Sequence, residues 1–166
     1  MLGKILKLFV GDKSKKDLKT IMPIIDQIHS FEDEIGKLSN DELRNQTSLF
    51  KGQIKSSVSD VDDEIENLKI EVEKTKDFDK KESLFTEIDK LNEEAYKINE
   101  NTLNQILPKA FAVIKETAKR FVDNKEIVVT ASEYDLELST EKDYVNVTKD
   151  KATWLNSWDA AGKKIV

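Results

Sequence analysis

Apolar residues recur at every third or fourth position over two long stretches, and this spacing commits most of the chain to helix. Leu43, Thr47, Phe50, Ile54 and Val58 lead into Val61, Ile65, Leu68 and Val72 in four-three-four spacing. The pattern predicts one helix from Asn40 to about Lys76, which at 1.5 Å per residue is about 55 Å long. Ser39 stands where a cap belongs, and Glu42 is placed to reach back and complete a capping box. Gly52 and the Ser56–Ser57 pair weaken this helix without obliging a break. A second seam runs Leu84, Ile88, Leu91, Ala95 and Ile98. Between Val72 and Leu84 the seam rotates by about 120°, so the two stretches do not form one stripe. Either the chain reverses across Asp77–Ser83 into an antiparallel hairpin, or one long helix changes faces. The hairpin is favoured, because each half carries a narrow seam that the other can cover.

Helical spacing extends to both sides. Leu18, Ile21, Met22, Ile25, Ile28 and Ile35 form a stripe between Ser14 and Lys37, with Pro23 placed to kink or divide it. His29, the single histidine, has no second histidine or cysteine near it and reads as a surface or boundary residue. Pro108 fits the first turn of a further helix. In that helix Phe111, Ile114, Ala118 and Phe121, with Val113 and Val122, form the expected core face; Lys115, Lys119 and Arg120 form the basic one. Patterning then changes period. Ile127–Thr130 is a β-branched run, Ala131–Leu138 a short helix, and Tyr144–Val147 and Ala152–Trp158 two strands around Thr148–Lys151. Trp154 and Trp158, four apart, are expected on one side of the same strand, in a core role. The expected fold class is therefore mainly α. It has long helices, an antiparallel helical hairpin and a small β-hairpin near the C-terminus.

Composition excludes several functions. The 166 residues contain no Cys, which removes disulfide scaffolds, thiol nucleophiles and cysteine zinc sites. No apolar run approaches the 18 residues of a membrane span. The formal net charge of −6 does not imply a basic face for nucleic acid. That charge is unevenly spread. Residues 1–19 hold six Lys and two Asp, a local +4, whereas residues 60–100 hold fifteen acids and seven Lys, a local −8. At the start, Leu2, Ile5, Leu6 and Phe9 share one side of a helix, with Lys4 and Lys7 opposite. Such a helix either lies on anionic lipid or docks on the protein's own body. Catalytic motifs are missing. The nearest approach to a phosphate loop is Gly162-Lys163-Lys164, which has Ser157 where the first Gly belongs and Lys164 where Ser or Thr belongs.

Three pieces carry a family resemblance. MLGKILKLFVGDKSKKDLK resembles the start of the SecA family, the ATP-driven motors of bacterial preprotein translocation. Leu38-Ser39-Asn40-Asp41-Glu42-Leu43-Arg44, with Thr47 and Phe50, resembles the family's next segment. LPKAFAVIKETAKR, from Leu107 to Arg120, resembles its L-P-E-A-F-A-V-x-R-E-A-x-x-R segment in order and spacing. The resemblance covers residues 1–55 and 107–122. It implies that 1–166 is a truncated N-terminal segment of the first nucleotide-binding domain of an α/β motor. Within it, 1–12 would be an amphipathic helix, 56–106 an acidic helical insertion, 107–122 the family helix and 123–166 a small β-containing insertion. ATP and magnesium are implied for the intact protein, whose glutamine segment and T-G-E-G-K-T loop follow beyond Val166; no cofactor or metal site is expected within these residues. The resemblance further implies membrane and channel contact through Leu2, Lys4, Ile5, Leu6, Lys7 and Phe9. Implied partners are acidic phospholipid, a SecYEG-type channel, preproteins and a second motor subunit, with no nucleic acid. The implied location is the bacterial cytoplasm, peripheral on the inner membrane. The rival reading is a free-standing coiled-coil adaptor or membrane-surface interaction protein.

Overall fold

The computed structural model describes residues 2–165, with side chains described for 16–159 and 161–165. Five helices and five strands follow in the order α1 (Leu2–Ser30), α2 (Glu32–Gly36), α3 (Asn40–Lys74), α4 (Phe78–Asp123), β1 (Glu126–Thr130), α5 (Glu133–Glu141), β2 (Val145–Thr148), β3 (Lys151–Leu155), β4 (Trp158–Ala160) and β5 (Lys163–Ile165). The chain divides into two compact units, Thr47–Leu107 and the remainder, Met1–Gln46 with Pro108–Val166.

The unit Thr47–Leu107 is the expected antiparallel hairpin, with its turn at Thr75–Asp77, slightly earlier than the spacing predicts. Thr75 and Asp77 explain that turn. The Asp77 carboxylate accepts from the Asp79 and Lys80 N–H groups and so caps α4. Beside it, Lys80 pairs with Glu71 at 2.6 Å across the turn. Val58, Ile65, Leu84 and Ile88 are buried, as both seams require.

In the other unit, α1 runs unbroken from Leu2 to Ser30 with Pro23 inside it, so Pro23 does not divide the helix. Pro23 lacks the N–H that would meet the Lys19 carbonyl; both residues are exposed, and water can take that acceptor. Leu18, Ile21 and Met22 of the expected helical stripe are about half exposed. Pro108 likewise lies within a helix rather than opening one: α4 is continuous for 46 residues. Its expected core face holds only in part: Val113 is buried and Phe121 half-buried, with Lys115 and Lys119 exposed as expected. Phe111, Ile114, Ala118 and Val122 are exposed, whereas Ala112 and Val113 are buried and Glu116 and Arg120 half-buried. The reason is polar. Arg120 is needed on the inward side, where the Leu38 carbonyl after α2 and the Asn40 side-chain oxygen at the start of α3 accept from it.

The first sheet has strand order β1-β3-β2, all antiparallel. The register pairs Val129 and Val147 with Ala152, and Ile127 and Val145 with Trp154, so these six residues share one face. Val129, Val145 and Ala152 on that face are buried. The strand expected over Ala152–Trp158 ends at Leu155 instead. Trp158 belongs to a separate hairpin, β4–β5, and is 46% exposed, so it does not share a strand or a core role with Trp154. Ala161 and Gly162, both at positive φ, form its two-residue turn, which accounts for the Gly162-Lys163-Lys164 sequence without a phosphate.

Lys149, at the β2–β3 turn, holds φ 56°, a left-handed conformation that costs a side-chain-bearing residue about 1–2 kcal/mol. Lys149→Gly is expected to stabilise this sheet by about 0.5–1 kcal/mol. Amide exchange of Ala152 and Trp154 measures it; unchanged or faster exchange contradicts the assignment of strain.

Candidate functional site

The polar centre of the larger unit is built on Asp135, whose side chain has no solvent exposure. Its position follows from a short sequence device. Ser132 caps α5, with its hydroxyl accepting from the Asp135 N–H while the Asp135 carboxylate accepts from the Ser132 N–H at 2.8 Å. The carboxylate also takes both Nη groups of Arg44, at 2.7 and 2.9 Å, in a bidentate pair. Trp154 Nε1 donates to Oδ1 at 3.0 Å and the Ser132 hydroxyl to Oδ2 at 2.8 Å. Burial alone would raise the Asp135 pKa. The Arg44 guanidinium and the Ser132 donors outweigh it and hold the group at about 2. The Tyr134 and Tyr144 rings each stand 6.4 Å from the Trp154 ring, stacked and tilted respectively.

Beside this centre, the first turn of α3 grips the free edge of β1. Asn40 Nδ2 donates to the Val128 carbonyl at 3.1 Å. Asp41 accepts from the Thr130 N–H at 2.6 Å and from its hydroxyl at 2.8 Å. The Thr130 backbone N–H, then its hydroxyl, hold Asp41 below the usual carboxylate value. These are the edge groups of β1 that face away from β3, so side chains occupy sites where another strand would otherwise add. Arg120 completes the assembly. It donates to Asn40 Oδ1 at 2.8 Å and to the Leu38 carbonyl at 2.7 Å, and its Nε meets Glu116 at 2.8 Å. The expected capping box at Ser39 is present. Ser39 N donates to Glu42 Oε2 at 2.7 Å, and Glu42 N donates to the Ser39 hydroxyl at 3.2 Å.

These groups are bonded to one another, and the arrangement does structural work. A groove of about 520 Å³ between α2 and the end of α4 is lined by Glu32, Lys37, Lys115 and Lys119 among others. Glu32 is already paired with Lys115, which holds its carboxyl below the usual range. Among the described residues no cluster of His, Asp or Glu is arranged to hold a metal, and no helix is long and apolar enough to cross a membrane. His29 is exposed, with Nδ1 2.9 Å from Glu32 Oε1. The side chains of Leu2, Lys4, Ile5, Leu6, Lys7 and Phe9 lie outside the described residues, although their backbone falls within α1. Sequence reasoning missed Asp135 as an organising residue. The signal was there, in Ser132-x-x-Asp135 ahead of a helix.

Fold and polar centre together define a mainly helical protein segment with a small antiparallel sheet closed against the head of α3. A family model described as the SecA DEAD-like domain matches residues 6–136, and the chain belongs to that family. Relatives named protein translocase subunit SecA include those of Flavobacterium psychrophilum, 56% identical over 164 residues, and Christiangramia forsetii, 51% identical over 164; each match covers 99% of this chain. That of Phocaeicola vulgatus is 44% identical over 161 residues, 96% of this chain. The chain spans about 15% of the length of the first two relatives. No solved structure matches.

Because the carboxyl of Asp135 lies below its ordinary value when folded, its contribution is complete above the unfolded value near 3.8 and is lost as pH falls towards 2. Asp135→Asn is expected to cost about 3–5 kcal/mol at pH 7 and to flatten stability between pH 4 and 2. Urea unfolding across that range, followed by Trp fluorescence, measures both; an unchanged acid limb contradicts the assignment.

Proposed function

We propose that this chain is the amino-terminal part of the motor that drives secretory preproteins through a SecYEG-type membrane channel by ATP hydrolysis. The match of the SecA DEAD-like family model to residues 6–136 carries the reading, supported by relatives named as translocase subunits. In this reading ATP and magnesium are held by parts of the motor outside residues 1–166, and these residues supply no catalytic side chain. Their task is scaffolding and attachment. The exposed stripe of Phe111, Ile114, Ala118 and Val122 on α4 is suited to cover by the rest of a motor domain.

The attachment role falls to the cationic start. Leu2, Ile5, Leu6 and Phe9 enter the interface of an acidic membrane, or meet the channel, while Lys4 and Lys7 stay with the headgroups. Each Lys near an anionic surface contributes about 1 kcal/mol, so the attachment is reversible and salt-sensitive. The motor then works as a peripheral protein on the cytoplasmic face of the inner membrane, and the same helix serves its dimerisation. In this reading residues 56–106 and 123–166 are insertions in the motor framework, with the family helix 107–122 between them.

The test is a chimera in which this segment replaces its counterpart in the Flavobacterium psychrophilum protein, assayed for ATP-dependent import into channel-containing vesicles. Import is expected, with loss of import and of salt-sensitive binding to anionic vesicles on deletion of residues 1–10. A folded chimera that hydrolyses ATP yet imports nothing, or one that binds neutral and anionic vesicles equally, contradicts the reading.

A further inference from the structure

The hairpin unit carries a surface that its own packing does not use. Phe78, Phe85, Tyr96 and Leu103 on α4 are 85, 53, 69 and 51% exposed. Their separations are seven, eleven and seven residues. On a helix each of these steps returns to within about 20° of the same direction, so the four side chains stand in one line about 37 Å long. That line lies about 90° around the helix from the buried seam of Leu84, Ile88, Thr102 and Ile106. It is therefore not a ragged margin of the hairpin's own core. Three aromatic rings and a leucine held in water along one line are the mark of a contact surface.

A second row runs parallel to the first. Glu82, Asp89, Glu93 and Glu100 follow at separations of seven, four and seven, offset from the apolar line by about 20–60° to one side. All four are exposed, and none forms a salt bridge among the described residues. The unit thus presents an apolar ridge bordered by a row of unpaired carboxylates. Anionic lipid is repelled by such a border, and a second copy of the same face brings carboxylates against carboxylates.

We propose that this face of α4, Phe78 to Leu103, is a docking surface for a cationic amphipathic helix of a partner protein. The partner lays its apolar side along the Phe78–Phe85–Tyr96–Leu103 line and its Lys or Arg row along Glu82–Asp89–Glu93–Glu100. The apolar line supplies most of the residence time, and the carboxylate row supplies orientation and a salt-dependent association rate. The inference is independent of the translocation reading, because it concerns binding by the hairpin alone.

The test uses the full chain and a labelled designed Leu/Lys amphipathic helix, followed by fluorescence anisotropy and by amide shift mapping. Saturable binding is expected, with shifts centred on residues 78–103 and at least tenfold weaker binding of a scrambled peptide of equal composition. Phe85→Ser with Tyr96→Ser, both exposed and outside the buried seam, is expected to weaken binding at least tenfold at constant charge. Glu82→Gln with Glu93→Gln is expected to weaken it and to flatten its salt dependence. Equal binding of the scrambled peptide or of the Ser variant reduces the effect to polycation attraction and overturns the proposal. Absence of binding, or shifts centred on Leu18–Met22, overturns it as well.

Discussion

A carboxylate sealed from water must be matched donor by donor, and Asp135 is matched by five: two from Arg44, two from Ser132 and one from Trp154. The donors come from α3, the cap of α5 and β3, so the condition that satisfies one side chain also fixes three elements in register. Arg44 retains about a third of its side-chain exposure, which lowers the cost of bringing the pair together. With Arg44 anchored, the preceding turn of α3 lies against β1, and Asn40 and Asp41 reach the edge groups of Val128 and Thr130.

Arg120 repeats this logic at the other end of the same turn. Its guanidinium meets the Leu38 carbonyl and Asn40, groups left open where α2 ends and α3 begins. Both arginines fall in segments that resemble the SecA family, and both serve as structural connectors in this segment. The requirement for Arg120 on the inner side turns Phe111, Ile114 and Val122 outward. An apolar face on α4 is thus left open by a polar constraint.

Much of this was legible in the sequence. The four-three-four spacing after Leu43 placed α3 within two residues of its end, and Ser39 with Glu42 announced its start. Ile127–Thr130 and Tyr144–Val147 were recognisable from their β-branched content. The failures have physical causes. Pro108 resembles a helix start because local propensity cannot register that α4 is already established before it. The helical period placed Val113 and Phe121 inward but could not register that Phe111, Ile114 and Val122 face out, because that depends on carbonyls at Gly36 and Leu38 more than 80 residues away. Asp135 looked like one acid among many because its partner Arg44 lies 91 residues earlier. Trp158 was assigned to β3 because the break at Asn156–Ser157 contains neither Gly nor Pro.

The central claim is that Arg44 and Asp135 act as one unit holding the head of α3 to the sheet and α5. A double-mutant cycle with Arg44→Gln and Asp135→Asn, read by equilibrium urea unfolding at pH 7, tests it most directly. The account predicts that the double variant loses less than the sum of the single losses, by more than about 1.5 kcal/mol, because each single change strands the other group. Losses that add to within about 0.5 kcal/mol would show that the two side chains do not act together, and would contradict the account.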